Sequence, residues 1–418
     1  MQKKSILPAI LGNANEWYDF ALYGYFSPIF AQLFFPKSEH SIALLLTFAI
    51  FATGFIVRPI GAMIFGHIGD RLGRRKALLI TTVLMALPTA CIGLLPTYQS
   101  VGILAPLLLV LLRLIQGLAV SGELSGASAY IIEHAKPKRR GLAGSLIMAS
   151  VYSGQLIGSA IGMTISWLVT QQQLMAWGWR IPFFLSLVFG IGILWLRLRS
   201  DETPKFEEHR ENKQLHDAPV KVALSQHIKS ITQIVGFICI AAVSGYILIG
   251  FLPTFLTLNH GFSLHTALAL NTIGMVVVML LIPVVGYLSD HFGRKLFLLI
   301  GTIGFILLAY PMFYLFSQHS FGLALIAEII YCVCIACING VTTVTMAEMF
   351  PTDVRQTGTG IGFNVSLAVF GGTAPLVAQF LINLFHTHFA ASYYLILCGL
   401  ISLPFIIKLS ASHQQPLR

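Results

Sequence analysis

"GHIGDRLGRRKALL" (residues 66–79) and "GYLSDHFGRKLFLL" (residues 286–299) are two copies of one pattern, 220 residues apart. Gly66 answers to Gly286, Asp70 to Asp290, Gly73 to Gly293 and Arg74 to Arg294. Each copy is a short basic break between long apolar runs. A second match follows in each half, an acid with a base seven positions on: Glu133 with Arg140, and Glu348 with Arg355. A chain that repeats its breaks in register is a duplicated array of helices.

Composition says where those helices live. Of 418 residues 56% are hydrophobic and 10% charged, with mean hydropathy +0.80. A soluble domain carries about 25% charged residues, so this chain cannot cover a water-facing surface and is a polytopic membrane protein. At about 20 apolar residues per crossing, twelve spans are expected. They fall near 6–34, 42–66, 77–96, 102–132, 141–170, 180–197, 230–258, 266–288, 296–316, 321–348, 357–385 and 389–409. The first is read as an uncleaved transmembrane helix, because no small-residue cleavage site follows its apolar run. The fold class is therefore all-α and integral to the membrane. A six-helix bundle (1–197), a cytoplasmic linker (198–229) and a second six-helix bundle (230–418) are expected.

Lys and Arg gather in alternate breaks, which puts both termini on the cytoplasmic side. The net charge of +10 has this origin. It forms no basic face or tail, so no nucleic-acid partner is expected. Six cysteines fall inside apolar runs, which argues against a disulfide framework. Cys332, Cys334 and Cys337 lack His or acidic companions and read as packing residues, not a metal site. "GTGIG" at 358–362 opens a membrane helix with no preceding strand, so it is not a nucleotide loop.

The repeated pattern has a chemistry. Gly66 and Gly286 permit close helix approach, and Gly73 and Gly293 allow a tight reversal. Asp70 and Asp290 can cap a neighbouring helix N-terminus or pair with a base across the bundle interface. With Arg71, Arg74, Arg75, Arg294, Glu133, Arg140, Glu348 and Arg355 they form a candidate cytoplasmic gate. The plain alternative is a positive-inside loop, which the duplication disfavours.

Charges inside the spans demand a reason, since one acid at a helix centre costs roughly 2.5–3.5 kcal/mol. "GNANEWYDFALYGY" (12–25) holds two, Glu16 and Asp19, roughly 18–22 Å along the first helix. Asn13, Glu16, Asp19 and Tyr23 follow helical spacing and are expected to form one polar stripe facing the bundle interior. Asp19 and Glu16, with Glu123 in the fourth span, are the candidate proton carriers; static pairing with Arg58 or Arg113 is the alternative. Arg113 either binds a substrate carboxylate or neutralises an acid on the first helix. Arg58 and Gln116 join it as candidate ligands. Tyr25, Tyr152, Gln155, Tyr246 and Asn364 are candidate cavity liners. Glu328, alone in the tenth span, aligns with Arg113 through the repeat and reads as a buried, hydrogen-bonded acid or a second proton site. Gly154, Gly158 and Gly162 predict close packing of the fifth span.

The duplicated loop resembles the signature of the major facilitator superfamily, and "RLIQG" (113–117) resembles its fourth-helix motif. "GNANEWYDF", "RPIGAMIFGHIGDRLGRR", "WGWRIPFF", "DETPKF", "FLPTFL" and "FGGTAP" are similar to the metabolite:proton symporter branch, over about residues 12–375. That branch holds proline/betaine, α-ketoglutarate, shikimate and citrate carriers. Two departures stand out. "SGELSGA" (121–127) replaces the branch's usual glycine-rich sequence around Glu123, and the chain stops at Arg418 without the coiled-coil tail of osmosensing carriers. The resemblance implies import of a small polar metabolite, a carboxylate or a zwitterion, across a bacterial inner membrane by proton symport. The proton gradient is the driving force, with no cofactor or metal. Lipid is the surrounding partner, and one chain is expected to suffice. A proton-coupled exporter and a non-transporting membrane sensor are the alternatives. The lack of any catalytic grouping speaks against an enzyme.

Overall fold

The computed structural model describes residues 3–35, 40–72, 74–121, 124, 128, 131–132, 135–199, 219–351 and 354–409. Gly73, Glu123 and Glu133 lie outside these. So do the side chains of Asp70, Arg71, Arg74 and Arg75, so the first copy of the repeated loop is not described in detail.

Every described element is helical. The order is α1 (Lys3–Tyr25), α2 (Ser27–Leu33), α3 (His40–Ile56), α4 (Arg58–Leu72), α5 (Arg74–Leu94), α6 (Leu104–Ala119), α7 (Arg140–Leu168) and α8 (Ile181–Leu198). The second half runs α9 (Ile228–Tyr246), α10 (Leu264–Phe292), α11 (Arg294–Phe316), α12 (Phe321–Glu348), α13 (Arg355–Ser366), α14 (Ala374–Phe385) and α15 (Ala390–Ile407).

Proline explains why fifteen segments make twelve crossings. Pro28 follows the break at Phe26 and Pro59 the break at Val57, each removing one backbone N–H from the helical ladder. The seventh span leaves α9 through two wide turns, Ile247–Phe251 and Phe255–Asn259, on either side of Pro253. The eleventh joins α13 to α14 through a third, Leu367–Gly371, just before Pro375. Such i→i+5 turns concentrate at functional sites. Among the described residues nine helices are long and apolar enough to cross a bilayer, and Leu79–Leu94 and Leu104–Ala119 are shorter apolar ones. With the polar-bearing first helix these make the twelve expected spans.

The two bundles meet along two seams and an axis. The fifth span (α7) packs along the eighth (α10) in the most extensive contact of the molecule, and the second (α3, α4) meets the eleventh (α13, α14). Under the six-helix repeat these two seams are copies of each other. The first helix touches the wide turn of the seventh span between them. Close approach is built from glycine, as the fifth-span spacing predicts: Gly154 lies against the Ala14 carbonyl of α1, Gly158 against Tyr18 and Tyr25, and Gly162 against Phe26 and Leu268. In lipid, where apolar burial drives no association between helices, such backbone contact supplies the packing energy.

Candidate functional site

The second copy of the repeated loop forms a charged latch between the bundles. Asp290, near the end of α10, accepts from the Gly141 N–H at 2.8 Å and the Leu142 N–H at 3.0 Å. Those are unsatisfied donors in the first turn of α7, where the helix dipole favours an anion. Gly286 makes the approach possible, because a side chain there would meet Ser145 and the Gly141 carbonyl. Arg294 holds the carboxylate at 2.9 Å, reaches Glu348 at 3.2 Å, and donates to Ser289. Gly293 has φ 90°, a left-handed turn that lets α11 start directly after α10. Arg355 donates to the carbonyls of Ala347 and Phe350, and Arg140 stands within electrostatic reach of Glu348 and Asp290. The aspartate thus both caps a helix and pairs with a base. The end of the molecule that carries this latch is the basic end.

Above the latch lies a cavity of about 50 Å³, room for several waters at ~10–15 Å³ of such volume each. Trp17, Tyr152, Gln155, Tyr246, Asn339 and Thr342 line it with an apolar remainder, and among the described residues no charged one does. Asn339 donates to the Tyr152 hydroxyl at 3.0 Å. Three polar atoms of the wall have no partner: Trp17 Nε1, Gln155 Oε1 and the Tyr246 hydroxyl. A buried polar group without a partner costs about 1–3 kcal/mol, so the wall is prepared for something polar. Away from the basic end, Gly24 of α1 abuts the Ile249 carbonyl, and Gly250 abuts Pro375 and Phe51. Phe55 stacks edge-on to Tyr246 at 4.7 Å. These contacts bring the two bundles together on that side of the cavity.

The embedded charges stand behind this wall. Arg113 is fully buried, donating to Gln116 at 3.1 Å, which in turn donates to Thr89 at 2.7 Å. Its guanidinium lies 4.3 Å from the Phe20 ring centroid, and that of Arg58 lies 4.8 Å from the same ring. Two cations therefore share one aromatic ring, with Arg58 also 5.5 Å from Trp17. Asp19 is buried and pairs with neither arginine; Asn15 donates to its Oδ2 at 3.4 Å and its Oδ1 has no partner. Glu16 is buried on the side of Tyr246.

The structure separates residues that the sequence groups together. Asn13 donates to Ser150 of α7 and Tyr23 to the Thr47 carbonyl of α3, while Asp19 turns inward beside Thr89 and Ser186. The expected polar stripe is thus divided among several neighbours, because steps of three residues drift around a 3.6-residue turn. Tyr152, Gln155 and Tyr246 line the cavity; Arg58, Arg113, Gln116, Tyr25 and Asn364 do not. Tyr25 donates to the Gln155 carbonyl, and Asn364 bridges the bundles to the Ser121 carbonyl at 3.2 Å. Trp17, Asn339 and Thr342 are liners that the sequence reading passed over. Trp17 sits between the two acids, and Asn339 is a lone amide in an apolar run; both were visible signals.

Duplicated six-helix halves around a central cavity, with a latch at one end, define a secondary transporter. A model of the Major Facilitator Superfamily matches residues 10–375 and 234–415. The proline/betaine transporter of Salmonella typhimurium is 34% identical over the whole chain and 85% of its own length. A glycine betaine/proline/ectoine/pipecolic acid transporter of Dickeya dadantii matches equally well. The ectoine/proline transporter of Corynebacterium glutamicum is 33% identical over 99% of this chain and 86% of its own. In fold the chain is similar to the crystal structure of a D-xylose-proton symporter, with TM-score 0.78 and 20% identity over 99% of both chains. The chain belongs to the major facilitator superfamily. It is a multi-pass transporter of the bacterial inner membrane and not an enzyme.

Proposed function

We propose that the protein imports a small zwitterionic osmolyte of the betaine, proline or ectoine kind together with protons, by alternating access. The observation that carries this reading is the cavity wall: four aromatic side chains, three unpartnered polar atoms and, among the described residues, no charge. The faces of Trp17, Tyr152 and Tyr246 suit an ammonium or quaternary ammonium pole, which aromatic rings attract through their quadrupole. The Trp17 N–H and the Tyr246 hydroxyl are donors for a carboxylate. The wall's aromatic faces suit a cationic pole that a dicarboxylate lacks, so the zwitterion is preferred over the carboxylate metabolites that the embedded arginines first suggested. The relatives' substrates agree with this choice.

Asp19 is the proposed principal proton carrier, being buried, unpaired with a base and short of one hydrogen bond. Glu16, beside Tyr246, is placed to sense the solute. The latch around Asp290 is the cytoplasmic gate, and both termini lie on that side. Each chain encloses its own cavity, so a monomer suffices, with the proton gradient as the driving force and no cofactor. The test is reconstitution in liposomes containing a pH-sensitive dye. Glycine betaine, proline and ectoine should each drive proton entry, and citrate, shikimate and dicarboxylates should not. Proton entry with a dicarboxylate but with no zwitterion would reverse the substrate assignment. Solute binding without proton movement would sink symport.

A further inference from the structure

Glu328 lies on α12, about 10 Å from its start at 1.5 Å per residue, and is fully buried. Neither carboxyl oxygen has a hydrogen-bond partner, and among the described residues no base pairs with it. It rests on α10 where that helix has no side chain: a Cβ on Gly274 would stand 2.7 Å from Glu328 Oε1 and 2.8 Å from Cys332 Sγ. The hydroxyls around it are committed elsewhere. Tyr331 donates to the Ser244 carbonyl and Tyr25 to the Gln155 carbonyl. One turn from Gly274, Asn271 spends its amide N–H on Leu248 and leaves its Oδ1 without a partner. Among the described residues no donor reaches either carboxyl oxygen, and an acceptor stands spare one turn away. An ionised carboxylate is the worst occupant of such a place, and a protonated one, itself a donor, is the best.

The placement is also at a moving joint. Beside Gly274 the bundles are stitched by Ser159 of α7, which bonds Thr272 at 2.9 Å and the Leu268 carbonyl at 3.2 Å. Tyr25 and Gln155 reach this seam from the first bundle, and Gln155 also lines the cavity. We propose that Glu328 is a second proton-carrying carboxyl, holding its proton while the seam between α7 and α10 is closed and exchanging it when the bundles part. The titratable groups facing it are Tyr25 from α1, and Tyr331 and Cys332 from its own helix. None is basic, so no fixed cation competes for its role.

This assignment rests on proton-coupled import and adds a second site to it. The experiment measures protons per solute in proteoliposomes for the wild type, Glu328→Gln and Glu328→Asp. The wild type should move about two protons, Glu328→Gln about one, and Glu328→Asp should keep the wild-type ratio. Under a gradient of one pH unit, accumulation by Glu328→Gln should fall about tenfold while solute exchange persists. An unchanged ratio in Glu328→Gln overturns the assignment and leaves symport standing. A wild type with no solute-linked proton flux overturns symport instead. A hydrophobic carbodiimide, which attacks protonated carboxyls, tests the wild type without any substitution. Modification of Glu328 that slows as pH rises supports the assignment, and an unmodified Glu328 at every pH overturns it.

Discussion

Replacing Asp290 with Asn should open the basic end by an amount that can be worked from the latch. Only contacts crossing between the bundles bias the gate. The Arg294 pair at 2.9 Å joins residues of one half and persists in both states, so it cancels. What is lost is the pair of charge-assisted bonds to the Gly141 and Leu142 N–H groups, worth about 1.5–3 kcal/mol each, the favourable dipole term, up to about 2 kcal/mol, and the attraction of Arg140 across the seam. Asn keeps one neutral acceptor, worth about 0.5–1.5 kcal/mol, and turns its amide donor toward the other N–H. Since the open state regains hydration, a net shift of about 2–4 kcal/mol remains, or roughly 30- to 1000-fold in the gate equilibrium. The assay is maleimide labelling of a Ser145→Cys probe in a variant lacking the native cysteines. Ser145 is fully buried and faces Gly286 across the seam, so its labelling rate follows the open population. A rate in Asp290→Asn within threefold of the parent would refute the latch as the gate.

Two further outcomes follow from the wall and from the opposite end. Tyr246→Phe and Trp17→Phe each remove one unpartnered donor while keeping a ring, so each should raise the KM for a zwitterion about fivefold, near 1 kcal/mol; uptake assays with unchanged KM in both would remove these donors from the site. His260 lies just past the seventh span, with its carbonyl bonded to His319 at 2.7 Å and its ring 5.2 Å from that of His388. Burial, then the nearby His388 and His319, push its pKa down to about 4. The unfolded imidazole binds more protons between about pH 6.5 and 4, so stability should be full above this window and fall as pH drops through it. Melting curves should show that acid loss reduced in His260→Gln; an identical pH profile would assign it elsewhere.

The duplication, the twelve crossings and the latch were legible because each rests on residue types that tolerate few substitutes. Gly293 must turn left-handed, Asp290 must reach a helix N-terminus, and Gly154 must let a backbone in. The cavity was legible only in part. Embedded charge in a sequence marks a costly residue, but not which way it faces. Arg113 and Arg58 stand over the ring of Phe20, Arg113 with Gln116 beside it, and neither lines the cavity. Trp17 was hidden by the opposite error, since an aromatic in an apolar helix reads as packing until its neighbours are known. The direction of Glu16 and Asp19 depended on which helices stand beside α1, information that no local spacing contains.

That arrangement suggests how proton and solute are coupled. Arg58 lies one aromatic layer behind the cavity, over Trp17, and Arg113 shares the ring of Phe20 with it. A unit charge felt from roughly 8 Å at an effective dielectric of ~20 is worth about 2 kcal/mol. Ionised Asp19, on the same helix as Phe20, offsets part of that positive field; protonated Asp19 releases it toward a solute carboxylate. Proton binding should then precede and strengthen solute binding, by about thirtyfold for 2 kcal/mol. Asp19→Asn fixes the neutral form. It should bind glycine betaine as tightly as the wild type does at low pH, lose the pH dependence of Kd, and support solute exchange without gradient-driven accumulation. Calorimetric titration across pH decides the matter. A variant that binds more weakly than the wild type at every pH would mean that the ionised carboxylate itself holds the solute's cationic pole, and that the arginines serve only to keep the bundle charge-balanced.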